Sequence, residues 1–334
     1  MRQPKPYFRN QKQAWYVQID GRQISLGREK ESAWRRYHEL MAGRMDLGSE
    51  RATVAQLLET YLEWCSKNRS SGTYGNARLY CRHFSRSIGK QLRIGQLKPK
   101  HITAWMDRHP DWSDTAKHDA ISIVQRAFNW AAKQGHIARS PIRGFDEKPP
   151  RSRREVVYSP DEFAMILDAV SDNLFRDLLK FLWETGCRPI EARKVEARYV
   201  DLKHNMLVYP ESMNKSRKGE RVIFLTEDAS SICRRLMKVH PEGPIFRNRH
   251  GNPWSKNAII CRFTRIGKKL GKTGLCAYGI RHSFATEGLK NGVDSVSLSM
   301  LMGHSDVSMI ARTYQHLARN PEFLREQARK AKGA

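Results

Sequence analysis

Alternation of apolar and polar positions marks the first 27 residues, and a three-to-four-residue period marks most of the remaining chain. Trp15, Val17 and Ile19 alternate with Tyr16 and Gln18. Asp20-Gly21 then makes a strong two-residue turn, and Ile24 and Leu26 continue on a return strand. Tyr7-Phe8 supplies a third strand. From Glu29 to Met41 the spacing turns helical, with Ala33, Trp34, Tyr37, Leu40 and Met41 on one side. Residues 1–46 therefore predict a small module of three strands and a helix.

Residues 47–146 read as helical throughout. Thr53 and Gln56 form a capping box, and Val54, Leu57, Leu58, Tyr61, Leu62 and Cys65 come after it at helical spacing. A second helix is expected over Thr73 to Ile88, and a third between Pro99 and Pro110. A fourth runs from Asp114 to Gln134, with Ile121, Val124, Phe128 and Ala131 inward, Trp130 in the core and Gly135 as the stop. Residues 147–158 break the pattern. Lys148-Pro149-Pro150-Arg151-Ser152-Arg153-Arg154 reads as a basic linker, whose Arg151, Arg153 and Arg154 are candidates to track a phosphate backbone. Residues 159–334 open on Ser159-Pro160-Asp161-Glu162, a serine cap with proline at the first helical position and glutamate three after the serine. Met206 to Tyr209 and Arg221 to Leu225 read as a β-hairpin with Lys215 in its loop, and the remainder as mainly helical. The expected class is α+β, mainly α.

Hydrophobic residues make up 40% of the 334, enough to bury cores, and the net charge of +26 calls for a polyanion, nucleic acid before membrane. The charge is spread out: ten basic against five acidic residues in 1–48, 17 against nine in 49–150, and 33 against 20 in 151–334. None of the six cysteines forms a C-x-x-C pair, which disfavours zinc. The N-terminus lacks the apolar stretch of a signal peptide, and no run of about 18 apolar residues exists. These features predict a cytoplasmic, nucleoid-associated protein with free thiols and no membrane partner.

Five motifs carry candidate chemistry. Arg188 lies in Thr185-Gly186-Cys187-Arg188-Pro189-Ile190-Glu191 and Lys215 in Asn214-Lys215-Ser216-Arg217-Lys218-Gly219. Arg281 lies in Tyr278-Gly279-Ile280-Arg281-His282-Ser283, His304 in Leu301-Met302-Gly303-His304-Ser305, and Tyr314 in Arg312-Thr313-Tyr314-Gln315-His316. Two arginines, a lysine, a histidine and a tyrosine can cut and rejoin a phosphodiester without metal or other cofactor. Guanidinium is planar, forked and always protonated, so it matches phosphate oxygens in pairs. A phenol has an ordinary pKa of about 10, and nearby arginines favour its phenolate. A covalent phosphotyrosine keeps the bond energy, so rejoining needs no ATP. Glu191 lies one helical turn after Arg188 and is placed to brace it.

This ordered set resembles the tyrosine recombinase, or phage integrase, family, strongly from about Ser159 to Leu317 and more weakly towards the N-terminus. The resemblance implies an arm-type DNA-binding module over 1–46, a helical core-binding domain over 47–146, a linker over 147–158 and a catalytic domain over 159–334. It implies attack by Tyr314, a link to the 3′ phosphate and a free 5′ hydroxyl. It makes Lys215, the first lysine of the hairpin loop, the general acid in preference to Lys218, and makes His304 a hydrogen-bond donor to the phosphate. The family's usual His-x-x-Arg is here Tyr278-Gly279-Ile280-Arg281. A tyrosine cannot act as a neutral-pH base, though it can still donate to a non-bridging oxygen. His282 reads as structural and Cys187 as packing.

The implied partners are double-stranded attachment sites, a homotetramer on synapsed DNA, and accessory DNA-bending or directionality proteins. The implied helix over Pro321 to Arg329 docks on the next protomer. Two competing readings remain at this level: a type IB topoisomerase-like enzyme, and a decayed integrase that only binds DNA. A metal-dependent nuclease is disfavoured, because no carboxylate cluster accompanies the motifs.

Overall fold

The computed structural model describes residues 5–19, 22–43, 52–151, 156–213 and 219–304, together with Arg325 and Arg329. The expectations for the Asp20-Gly21 turn, Lys215, Arg153, Arg154, Tyr314 and the 321–329 helix lie outside these residues, apart from Arg325 and Arg329, both helical. The chain divides into two compact units, Met1–Arg153 and Arg154–Ala334.

The first unit opens with an antiparallel sheet in the order β1 (Tyr7–Arg9), β2 (Ala14–Ile19), β3 (Arg22–Gly27), and α1 (Lys30–Gly43) comes next. Alternation places Val17 and Leu26 inward, where they pack with Ala33 and Tyr37 of α1. Trp34, expected on the same buried side, is 36% exposed instead. So small a sheet leaves room for one row of helix residues, and Ala33 and Tyr37 fill it.

Four further α-helices complete the described part of this unit: α2 (Val54–Asn68), α3 (Ser71–Ile88), α4 (Lys100–Asp107) and α5 (Asp114–Lys133). At the start of α2, Gln56 N donates to Thr53 Oγ1 at 3.2 Å and Thr53 N donates to Gln56 Oε1 at 2.9 Å. α3 begins two residues before the expected Thr73, because Ser70 Oγ accepts from Thr73 N and caps a turn that includes Gly72. Ile121, Val124, Phe128 and Ala131 of α5 are buried as the periodicity requires. Trp130 is only half-buried, packed at the rim against Tyr61, Trp64 and His136.

The second unit is built around α7 (Asn173–Thr185), whose Phe175, Leu178, Leu179, Phe181 and Leu182 are buried. It packs against α9 (Glu227–Val239) and α11 (Ala277–Lys290). α6 (Pro160–Asp168), α8 (Pro189–Ala192), α10 (Lys256–Leu270) and α12 (Ser295–Met302) complete the helices. The expected hairpin is the larger part of a three-stranded sheet, β4 (Val200–Asp201), β5 (Met206–Tyr209) and β6 (Arg221–Phe224), closed at its loop end by the pair Tyr209↔Arg221. Two residues of β4 are too few to show a periodicity. Among the described residues no helix is long and apolar enough to cross a membrane.

Candidate active site

The site grows from the ends of two helices. α7 stops at Gly186, whose left-handed backbone (φ +56) reverses the chain. A Cβ there would lie 2.3 Å from the Phe284 ring, so only glycine fits. Buried Cys187 packs behind the turn, and Arg188 is next, as the cap of α8. Glu191 holds Arg188 twice. Its Oε2 accepts from Arg188 N at 2.7 Å and its Oε1 from Arg188 Nη1 at 2.8 Å.

α12 stops at Gly303, also left-handed (φ +64). A helix end leaves carbonyls without intrahelical donors and concentrates partial negative charge there. Three guanidiniums meet them. Arg188 Nη2 donates to Gly303 O at 2.7 Å, and Arg281 Nη2 to Met302 O at 2.7 Å. Arg221 Nη2 donates to Leu301 O at 2.9 Å and its Nη1 to Met300 O at 3.4 Å. Arg281, 4% exposed on α11, also donates from Nη1 to Gly186 O at 2.8 Å, so one side chain joins the two glycine-capped helix ends. The start of α11 is fixed by Tyr158, whose hydroxyl donates to Cys276 O and accepts from Cys276 N. Its ring leaves no space for a Cβ at Gly279.

His304 completes the group, with Nε2 2.9 Å from Arg281 Nη2. A guanidinium cannot accept, so Nε2 accepts and the imidazole proton sits on Nδ1. That Nδ1 is buried with no partner among the described residues. Burial first, then the charges of Arg281, Arg188 and Arg221, push the His304 pKa down to about 4. Burial and Arg188 lower Arg281 to about 10, which leaves it protonated at neutral pH. The site thus brings together three guanidiniums, one carboxylate and one N–H unpaired among the described residues, an arrangement suited to an anion with several oxygens.

The histidine shift sets a stability prediction. The folded pKa lies below the unfolded value of about 6.5, so the native state binds fewer protons. This contribution is complete above pH about 6.5 and is lost as pH falls towards 4. The melting temperature of the free protein is expected to drop more steeply between pH 7 and 4.5 than that of His304→Gln. Parallel curves would contradict the assignment.

Among the sequence-predicted residues, the structure gathers Arg188, Glu191, Arg281 and His304. Tyr278 stands one turn before Arg281 on α11, but it is 52% exposed and its hydroxyl has no hydrogen-bond partner among the described residues. Arg151 belongs to the first unit, where Asp119 Oδ1 accepts from its Nε at 3.0 Å. Sequence reasoning missed Arg221, which is 5% exposed. Its signal was present: Arg221 shares the inward face of β6 with Ile223, and a charge at an apolar strand position requires partners.

Residues 158–320 match the model of the phage integrase family. The tyrosine recombinase XerA of Saccharolobus solfataricus is 29% identical over 200 residues, 59% of this chain and 62% of that protein's length. XerD of Staphylococcus aureus is 30% identical over 222 residues, 63% of this chain and 75% of its own. The chain belongs to the tyrosine recombinase family. This recombinase is therefore a DNA strand-transferring enzyme by family, and its residues from Arg188 to His304 lie within the matched region. Its fold is that of two solved integrases. The Tn1549 transposon integrase in complex with a circular intermediate DNA aligns at a TM-score of 0.69, with 17% identity over 84% of this chain and 99% of that one. A lambda integrase dimer bound to a core site aligns at 0.65, with 17% identity over 94% and 95%.

Proposed function

We propose that this chain is a site-specific integrase that cuts and rejoins DNA through a 3′-phosphotyrosine at Tyr314, moving a mobile element into or out of its attachment sites. The observation that carries the reading is the convergence of Arg188, Arg281 and His304 on the end of α12, with one N–H unpaired among the described residues. Arg188 and Arg281 take the non-bridging oxygens, and His304 Nδ1 donates to the same phosphate. Tyr314 attacks phosphorus and forms the P–O bond as the bond to the 5′ oxygen breaks. Lys215 gives that leaving oxygen its proton, and reversal with a new 5′ hydroxyl rejoins the strand.

In this reading residues 1–46 form an arm-type module, 47–146 the core-binding domain, 147–158 the linker with Arg151, Arg153 and Arg154 along the backbone, and 159–334 the catalytic domain. Arg151 exchanges Asp119 for phosphate on binding. The partners are duplex attachment sites, three further copies of the chain at synapsis, and accessory DNA-bending or directionality proteins. The place of action is the nucleoid. A tetramer is the state in which lambda integrase has been seen on a Holliday junction.

A nicked suicide duplex carrying sequence that flanks the gene tests the reading. A denaturation-resistant adduct is expected in EDTA, and none with Tyr314→Phe. Tight binding of that duplex without an adduct would replace the proposal with a DNA-binding protein that has lost its chemistry.

Tyr278 adds a second expectation. Histidine in its place introduces a group with a pKa of about 6.5, which the wild-type sequence lacks at that position. Tyr278→His is expected to add an inflection near that pH to the cleavage-rate profile and to change the plateau by less than about tenfold. An unchanged profile would remove Tyr278 from the site.

A further inference from the structure

We infer that Arg221 is a positioning residue that, with Tyr209, locks the root of the Lys215 loop to the Arg188 turn and to the end of α12. The inference rests on the reading of Lys215 as general acid.

Tyr209 ends β5 and Arg221 begins β6; the two pair with each other, and the 11 residues between them include Lys215. Both side chains turn towards one residue, Glu191. The Tyr209 hydroxyl donates to Glu191 O at 2.7 Å, and Arg221 Nε lies 3.6 Å from Glu191 Oε1. That same carboxylate oxygen accepts from Arg188 Nη1. The closing pair of the hairpin is therefore hydrogen-bonded to the backbone of the residue that braces Arg188 and ion-paired, beyond hydrogen-bond distance, with its side chain.

Arg221 makes a second attachment. Its terminal nitrogens reach Met300 O and Leu301 O, about one turn of chain before His304. The guanidinium fills the space beside Gly303, where a Cβ would sit 2.6 Å from Nε. A charged group with a side chain only 6% exposed is costly to bury, and burial lowers the Arg221 pKa. A purely structural strand position is served by an aliphatic residue, as Ile223 serves on the same face. What an aliphatic side chain cannot do is hold three backbone segments in register: β6, α8 and the end of α12. A loop that delivers a proton needs such a fixed root, because displacement of about 1 Å at a reacting group costs on the order of 100-fold in rate.

The test compares two suicide duplexes, one with the natural 5′ oxygen and one with sulfur at that bridging position. A thiolate leaves without protonation, so the sulfur duplex bypasses the general acid. For Arg221→Met, cleavage at saturating oxygen duplex is expected to fall about 100-fold with DNA affinity within about threefold. On the sulfur duplex the deficit is expected to shrink below about tenfold, and Arg221→Lys to recover part of the oxygen rate. Tyr209→Phe, which removes one hydroxyl, is expected to show the same sulfur preference with a smaller loss, and it decides the matter if Arg221→Met does not fold. Equal deficits on both duplexes, or no deficit, would overturn the inference. Failure of wild type to form an adduct on either duplex would instead sink the proposed strand-cleaving function.

Discussion

Arg281→Ala is expected to lower strand cleavage at saturating DNA by at least ~10³-fold. The side chain is buried and acts in two capacities. In the proposed function it offers charge to the phosphate, and in the structure it ties Gly186 O, Met302 O and His304 Nε2 together. Loss of one preorganised donor already costs about 3 kcal/mol in the transition state. Here the substitution also leaves two buried carbonyls without this donor, at about 1–3 kcal/mol each in the folded protein. Arg281→Lys restores the charge as a point and cannot rebuild the fork, so a loss of about 100-fold is expected to remain. Duplex affinity should change far less, because the net charge of +26 spreads binding over many phosphates. His304 provides an independent readout. After burial, Arg281 is the largest cause holding its pKa near 4, so the imidazole titration should move up in Arg281→Ala. A cleavage loss under tenfold, or a histidine titration that stays in place, would show that Arg281 does not carry the phosphate.

Gly186→Ala is expected to cost about 3 kcal/mol of stability and to slow cleavage with it. The positive φ disfavours any side chain by about 1–2 kcal/mol. The new methyl meets Phe284 at 2.3 Å, and relief of such overpacking costs about 1–3 kcal/mol more. The chain at 186 then moves, and with it the carbonyl that receives Arg281. Gly274→Ala separates the two contributions. Gly274 has φ +79 but nothing within 4 Å of its Cβ position, so about 1 kcal/mol and an unchanged cleavage rate are expected. Urea unfolding and single-turnover cleavage of both variants check the pair, and equal costs would show that Phe284 yields freely.

Local signals in the sequence carried much of the architecture. The caps at Thr53 and Ser159, the Pro160 start and the apolar spacing of α5 are each decided within a few residues, and the structure agrees with them. The five motifs were legible as chemistry because rare residue types stood in a fixed order. Contacts between segments distant in sequence were not. Nothing near Gly186 announces Phe284, 98 positions later, and nothing near Gly303 announces Arg221. α12 falls within the remainder expected to be mainly helical, but its bounds were not legible for a different reason. Eight residues are two turns, and Ser295, Ser297 and Ser299 alternate with apolar neighbours in a pattern that suits a strand as well as a helix. Arg221 looks like an ordinary strand residue until alternation places it with Ile223 on the buried face of β6.

The arginines grip α12 by its carbonyl oxygens, and every amino acid supplies the same carbonyl. The outward side chains of that helix, Val296 at 55% exposed and Met300 at 73%, therefore carry no share of the geometry around the arginines. Drift at these positions can rewrite what the recombinase presents to its surroundings while the chemistry stays constant. Two lineages can thus acquire different assembly rules or different regulators and keep one reaction.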